Sequence, residues 1–315
     1  MIRSSRSPSP RVLGWRSAAC AAAITCAAVS ASIAAAQRPS RDQHVFVNVL
    51  DHDGAPVKDL GVSDFTVRED GTAREVLKVT PASEPMHIAL LVDNSQAIQT
   101  LVPDLRAAVA TFIKQTLTAS PTTQIALLTF GDRPAQAVDY TTSAPALLRA
   151  VDRLFSQTGA GAYMLDAVMD VCKGFKKKNV RRPVIVAFTA EGGPEFSNVN
   201  FRQVEDAMKD TGAALWPVVL QGTPQNAGSD EEHNRSVVIG DITTRSGGTQ
   251  NVILSHLALE SRLKTVSTLL TSQYDVMYGR PETLIPPERV EVAVARPALR
   301  PLSPRWAPHW ARLVK

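Results

Sequence analysis

The chain has 315 residues, of which 44% are hydrophobic and 20% are charged, and this composition predicts one or two folded domains rather than a disordered chain. The formal net charge is +4, but residues 1–36 hold four arginines and no acidic residue. The rest of the chain has 34 − 4 = 30 basic and 30 acidic residues. This neutral balance excludes nucleic acid as an expected partner.

Residues 1–36 have the pattern of a secretory signal peptide. Arginines come first, an alanine-rich apolar segment runs from 18 to 36, and Ala34-Ala35-Ala36 gives a small-x-small cleavage site before Gln37. A membrane anchor that is never cleaved is the alternative, although the segment is barely long enough to span a bilayer and is weakly apolar. We therefore expect an exported protein, periplasmic or secreted, with no membrane span after the signal is cleaved.

The cysteines indicate a protein that is held together by packing rather than by disulfides. Cys20 and Cys26 lie in the signal segment, so Cys172 has no internal disulfide partner. Cys172 recurs with Leu165 and Val168 at helical spacing, which predicts that it is a small core residue.

Residues 37–83 form the first segment of the mature chain. Apolar and polar residues alternate in three short runs that predict β-strands, at His44–Leu50, Phe65–Arg68 and Glu75–Val79. Asp53-Gly54 and Asp70-Gly71 mark the turns between them. A calcium loop beginning at Asp51 is the alternative to the first turn, but the later ligands of such a loop are missing.

These three strands are too few for a complete sheet, and two strands near the other end, Gln273–Gly279 and Arg289–Ala295, also need partners. We expect the two ends of the chain to meet in one small β module, formed by residues 37–83 and 273–296. Residues 297–315 are rich in proline and are expected to form an extended, poorly ordered tail.

The central segment, residues 84–272, begins with its most apolar run. Ile88–Val92 are five consecutive apolar residues, which predicts a strand that is buried on both faces at the centre of a parallel sheet. Asp93 and Ser95 follow at the carboxyl end of this strand, where open α/β sheets bind their ligands.

Strands and helices then alternate, which predicts a doubly wound, mostly parallel sheet with helices on both faces. The further strands are predicted at Gln124–Phe130, Ala135–Tyr140, Pro183–Thr189, Ala213–Leu220 and Thr249–Leu254. The helices are predicted at Leu101–Ile113, Ala144–Phe155, Tyr163–Phe175, Val204–Lys209, Asn234–Arg245 and Leu257–Leu270.

Asp93-Asn94-Ser95-Gln96-Ala97, placed after a hydrophobic strand, resembles the D-x-S-x-S motif that opens a von Willebrand factor type A (VWA) domain. The resemblance covers roughly residues 44–296 and implies a VWA, Rossmann-like fold in which Ala135–Tyr140 is an antiparallel edge strand. Four segments are also similar to the VWA-related proteins that occur in many copies in acidobacteria, namely Val47–Asp51, Asp64–Gly71, Tyr274–Tyr278 and Arg289–Val294.

The resemblance implies a metal-ion-dependent adhesion site, in which side chains from separate loops supply oxygen ligands to Mg²⁺ or Mn²⁺. Asp93 and Ser95 stand at two of the ligand positions. Ala97, Ala162 and Ala190 stand where the family has Ser, Thr and Asp. A methyl group offers a cation no ligand, so we expect a degenerate metal site and no cofactor.

One route to a surviving site for Mg²⁺ or Mn²⁺ is left open. Glu191 lies one residue beyond the lost Asp, and its longer side chain can reach back to a cation held by Asp93 and Ser95. Thr158 is the matching candidate for the hydroxyl that is missing at Ala162. The alternative is that Asp93 and Ser95 fix the loop and cap the helix that follows.

The resemblance implies protein binding rather than catalysis, with a protein as the partner. The expected binding surface surrounds Asp93, Ser95, Ala162 and Glu191. The sequence has no phosphate-binding loop, no nucleophile elbow and no histidine pair at ligand spacing, so no enzyme class is expected. Two alternatives are a structural subunit for envelope assembly that pairs through its β module, and a metal-dependent adhesion protein that uses Glu191.

Overall fold

The computed structural model describes residues 40–223, 225–281 and 285–307. The predicted signal peptide, with Cys20 and Cys26, and the tail from residue 308 lie outside the described residues. The described residues from 42 onwards, Pro281 excepted, form one compact unit. None of the described helices has the length and apolar character needed to cross a bilayer.

The described part of the chain alternates strands and helices over most of its length. The strands are β1 (Ser40–Leu50), β2 (Phe65–Glu69), β3 (Thr72–Arg74), β4 (Val76–Pro81), β5 (His87–Val92), β6 (Gln124–Thr129), β7 (Ala135–Thr141), β8 (Pro183–Ala190), β9 (Ala214–Leu220), β10 (Asn251–Ile253), β11 (Tyr274–Pro281), β12 (Val290–Val294) and β13 (Arg300–Leu302). The α-helices are α1 (Val102–Ala119), α2 (Ala144–Val151), α3 (Met164–Lys178), α4 (Phe201–Thr211), α5 (Asp230–Val237) and α6 (Leu259–Thr271). Shorter helical segments lie at Val62–Asp64, Gln96–Leu101, Val238–Ile242, Thr243–Arg245 and His256–Ala258.

Six strands form the central sheet in the order β10-β9-β8-β5-β6-β7. β5 lies between two parallel neighbours, and Ile88–Val92 are buried, as the apolar run predicts. β7 is antiparallel to β6 and forms one edge of the sheet, whereas the other neighbouring pairs are parallel. The prediction of a doubly wound, mostly parallel sheet with an antiparallel edge strand is confirmed.

Helices cover both faces of this sheet because β5 sends alternate side chains to opposite sides. Leu90 and Val92 pack with α1, α2 and α6, whereas Ala89 and Leu91 pack with α3 and α4. A leucine or valine side chain contributes roughly 1.5–3 kcal/mol when it is fully buried. Cys172 on α3 is buried in the second of these cores, as its helical spacing predicts.

The two ends of the chain meet, as predicted, but in two small antiparallel sheets rather than one. Their strand orders are β13-β1-β11-β4 and β12-β2-β3. Val47, Val67, Val276 and Tyr278 are buried in the core that these strands share. The turn after β1 is also confirmed, since Gly54 has a φ of +80°, which favours glycine.

The expectation of a poorly ordered tail from residue 297 is wrong for its described part. β13 pairs with β1, so that Leu302 lies opposite Asn48. Pro301 is tolerated because β13 is at the edge of its sheet, where a missing N–H can face away from the ladder. Trp306 is buried in the second of the two cores beside the central sheet and anchors the segment.

The predicted helix at Asn234–Arg245 begins earlier, at Asp230. Ser229 caps α5, since its Oγ accepts a hydrogen bond from the N–H of Glu232 at 3.2 Å. Acidic residues fill the first turn, where they face the positive end of the helix dipole. Beyond α5 the helix widens into a π-type segment, Val238–Ile242.

Candidate functional site

The carboxyl ends of β5 and β8 lie side by side because the two strands are parallel neighbours. The loop between α2 and α3 reaches the same edge, where the N–H of Ala162 donates to the carbonyl of Pro194 at 2.8 Å. The structure thus brings Asp93, Ser95, Ala162, Ala190 and Glu191 to one edge of the sheet. We call this region the three-loop site, formed by residues 93–97, 152–163 and 189–200.

Asp93 is fully buried, and its carboxylate accepts three hydrogen bonds from the protein. Oδ1 accepts from the N–H of Ser95 at 2.8 Å. Oδ2 accepts from the hydroxyl of Thr189 at 3.3 Å and from the N–H of Ala190 at 3.2 Å. The side chain therefore ties the end of β5 to the end of β8, which is the loop-fixing role considered for it.

Ser95 precedes the helical segment Gln96–Leu101 but does not cap it. Its Oγ is buried and finds no hydrogen-bond partner among the described residues. The hydroxyl points toward Gly193, lying 3.6 Å from where a Cβ of that residue would stand. The capping role considered for Ser95 is therefore wrong.

We expect Ser95→Ala to leave the free energy of unfolding unchanged or to raise it by up to about 1 kcal/mol, because it removes a buried hydroxyl that has no partner. Ser229→Ala is the control, since it removes a hydroxyl that does cap a helix and should lower stability by about 1 kcal/mol. Urea unfolding of both variants at neutral pH measures the difference. A clear loss of stability with Ser95→Ala would restore a bonding role for its hydroxyl.

The other predicted residues of the site divide into buried methyl groups and one partly exposed carboxylate. Ala162 and Ala190 are buried, and Ala97 packs against the first core. Glu191 is only partly buried, and its Oε2 accepts a hydrogen bond from the N–H of Gly222 at 3.2 Å. Its carboxylate is thus held by the loop that follows β9.

Arg235 on α5 is a component of the site that the sequence analysis does not single out. It is 1% exposed, although arginine is a residue type that is almost never fully buried without a partner. Its Nη2 donates to Thr189 Oγ1 at 2.8 Å and to the carbonyl of Ala190 at 3.0 Å. Its Nη1 lies 3.6 Å from a carboxylate oxygen of Glu232. The guanidinium therefore contacts the end of β8, and the hydroxyl of Thr189 links it to Asp93.

Glu195 is a second component that the sequence analysis does not single out. It is fully buried, and its Oε1 accepts from the N–H of Met164 at 3.1 Å and from both the N–H and the hydroxyl of Ser197. Burial raises the pKa of Glu195 to about 7, and the charge of Asp93 adds to the shift. The hydrogen bonds from Ser197 and the charge of Arg235 oppose it.

The described side chains do not fit the metal site that the resemblance implies. Both oxygens of Asp93 already have protein donors, and Glu191 is bonded to the β9 loop. Two buried oxygens, Ser95 Oγ and Glu195 Oε2, have no hydrogen-bond partner in the described ranges. They share the site with the guanidinium of Arg235, whose positive charge opposes a cation.

The carboxylates and histidine of the turn after β1 form a separate group. Asp51, His52 and Asp53 come close enough together to hold an ion, in an exposed position. Asp51 Oδ1 instead accepts from the N–H groups of Asp53 and Ala55, both at 2.9 Å. These bonds are those of a plain turn, as the sequence predicts for this segment.

Comparison with known proteins gives a family. The family model of the von Willebrand factor type A domain matches residues 87–245. No curated protein matches the chain. Solved structures that it resembles include the SpRpn10 VWA domain, with 18% identity, a TM-score of 0.44 and coverage of 56% of this chain and 93% of that one. A von Willebrand factor type A protein from Catenulispora acidiphila has 10% identity, a TM-score of 0.47 and coverage of 87% and 75%. The PilB minor pilin of Streptococcus sanguinis has 9% identity, a TM-score of 0.46 and coverage of 61% and 63%.

Proposed function

The chain belongs to the von Willebrand factor type A domain family, and we propose that it is an exported protein-binding module that holds its partner at the three-loop site without a metal ion. VWA domains are protein-interaction modules, which supports the general role. The finer elements, namely export, the binding surface and metal independence, rest on the sequence pattern and on the side chains described above.

The observation that carries the proposal is the contrast between the buried polar centre of the site and its exposed apolar rim. Asp93, Ser95 and Ala162 are at most 1% exposed, so the loops that carry them would contact a partner through other side chains. Phe155 is 62% exposed and Phe196 is 48% exposed, and both belong to these loops. Aromatic side chains are enriched at protein–protein interfaces relative to the rest of the protein surface, which supports a binding role for this rim.

A groove beside the site indicates the chemistry of the partner. It has a volume of about 400 Å³, and Asn94, Val138, Arg149, Arg153 and Phe155 are among the residues that line it. Both arginines are exposed, and neither forms an ion pair within the described part of the chain. A partner that presents acidic side chains beside apolar ones matches this surface.

We expect the double variant Phe155→Ser/Phe196→Ser to bind its partner at least about tenfold more weakly, because both substitutions remove apolar contact at the rim. Proteins of the exported fraction would be captured on the immobilised chain, in EDTA and in Mn²⁺. The control is Leu77→Ser, which changes an exposed apolar residue of the β module.

The outcomes separate the proposed function from its alternatives. Capture that is lost with the rim variant, kept with the control and unchanged by EDTA supports the proposal. Capture that is lost with Leu77→Ser alone would favour the structural subunit that pairs through its β module. Capture that EDTA abolishes would favour metal-dependent adhesion and a role for Glu191.

A further inference from the structure

We propose that the guanidinium of Arg235 is a built-in cation that balances the carboxylates of the three-loop site and keeps divalent metal ions out of it. This inference rests on the proposed metal-independent function and deepens it. Arg235 supplies a positive charge in place of a metal ion, whereas the missing ligands alone explain only why a metal ion would bind weakly.

The hydrogen bonds of Arg235 place it where it can act on the site. Nη2 contacts both Thr189 and the carbonyl of Ala190, at 2.8 and 3.0 Å. Thr189 in turn donates its hydroxyl to Asp93 Oδ2. A series of hydrogen bonds therefore runs from Asp93 through Thr189 to Arg235. Arg235 also bonds to the backbone carbonyl of Ala190, the position at which the family has its third-loop Asp.

The charges around Arg235 are those that a metal ion would otherwise balance. Three carboxylates with little or no exposure surround this region, from Asp93, Glu195 and Glu232. Burial raises the pKa of Glu195 and of Glu232, and the positive charge of Arg235 opposes both shifts. Glu191 adds a further negative charge near Glu232. Among the described residues, Arg235 is the buried cation at this site. Its positive charge offsets part of the negative charge of these carboxylates and, unlike a bound metal ion, it cannot dissociate from the protein.

The local structure of α5 explains why the arginine is held there. Arg235, Val238 and Ile242 lie on one helical face, so the guanidinium is on the apolar side of the helix. Nε and Nη1 have no hydrogen-bond acceptor in the described ranges. The helix continues as the π-type segment Val238–Ile242, a geometry that is common at functional sites. The chain thus keeps a costly buried charge at this position.

The test restores the ligands and then removes the arginine. The variant Ala97→Ser/Ala162→Thr/Ala190→Asp places oxygen groups at the three alanine positions. We expect it to bind Mn²⁺ no better than the wild-type protein, as measured by calorimetry. The same variant with Arg235→Met should bind Mn²⁺ at least on the order of 100-fold more tightly, because it loses the repulsion between a divalent ion and a nearby guanidinium.

A second measurement covers the case in which the fourfold variant does not fold. Arg235→Met alone should lower the Tm by about 10 °C, since it leaves buried carboxylates without a counter-charge. In a Glu195→Gln background the same change should cost less than half as much. Additive losses in this cycle, or equally tight Mn²⁺ binding by the restored variant with and without Arg235, would overturn the inference. Mn²⁺ binding by the wild-type protein would instead contradict the proposed function itself.

Discussion

Replacing Asp93 by alanine is expected to lower the free energy of unfolding by roughly 3–5 kcal/mol. The carboxylate is fully buried and accepts hydrogen bonds from Ser95, Thr189 and Ala190. Each buried donor left without an acceptor costs about 1–3 kcal/mol, and the three costs are not fully additive. Urea unfolding measures the loss.

The controls for this prediction separate structure from metal binding. Asp206→Ala removes an exposed carboxylate from α4 and should change stability by less than about 0.5 kcal/mol. Addition of Mg²⁺ or Mn²⁺ should shift the Tm of neither the wild-type protein nor the Asp93 variant. A variant at Asp93 that stays within 1 kcal/mol of the wild type would contradict the structural role of the carboxylate.

The stability of the protein should fall as the pH rises from about 4.5 to 7, through the ionisation of Glu195. Its pKa is about 7 in the folded protein, against 4.5 for an ordinary glutamate. Within this window the folded state holds a proton that the unfolded state has released, so raising the pH favours unfolding. The full shift corresponds to about 3 kcal/mol. Above pH 7 the free energy of unfolding is lower by this amount than it would be with an unshifted pKa.

Glu195→Gln isolates this contribution because glutamine keeps an acceptor for Met164 and Ser197 but does not ionise. Unfolding free energies of both proteins, measured between about pH 4.5 and 8, should diverge by about 3 kcal/mol in favour of the variant. Glu75→Gln, at an exposed position in the β module, is the control and should follow the wild type. Parallel curves for Glu195→Gln and the wild type would show that folding does not raise the pKa of this carboxyl.

Much of the fold follows from local patterns that tertiary contacts do not override. The apolar run Ile88–Val92 identifies the central strand because a short run of five apolar residues is typical of a strand covered on both faces. Asp93, Ser95 and Ala190 are brought together as expected, since the carboxyl ends of the parallel strands β5 and β8 share one edge. The loop between α2 and α3 brings Ala162 to the same edge. Register and strand order make this part of the site predictable.

The charged centre of the site is harder to predict because it depends on burial. Arg235 follows a run of polar residues and Glu195 lies in a loop without an apolar pattern, and both are buried because α5 and the β8 loop pack against the sheet. The one signal for this burial in the sequence is that Arg235 lies on the same helical face as Val238 and Ile242. The order of the tail is hard to predict for a similar reason, because its proline content gives no sign that Trp306 is buried in the core.

The pairing of β1 with β13 also determines the order in which the chain can fold. The Asn48–Leu302 pair joins residues that are 302 − 48 = 254 positions apart, so loop closure opposes this contact until the segment between them has become compact. During synthesis the strands of the central sheet emerge before β11 and β13 exist. The first strand of the described chain, β1, is therefore among the last to be paired. Once β13 has paired with β1, the α/β core between them has already formed.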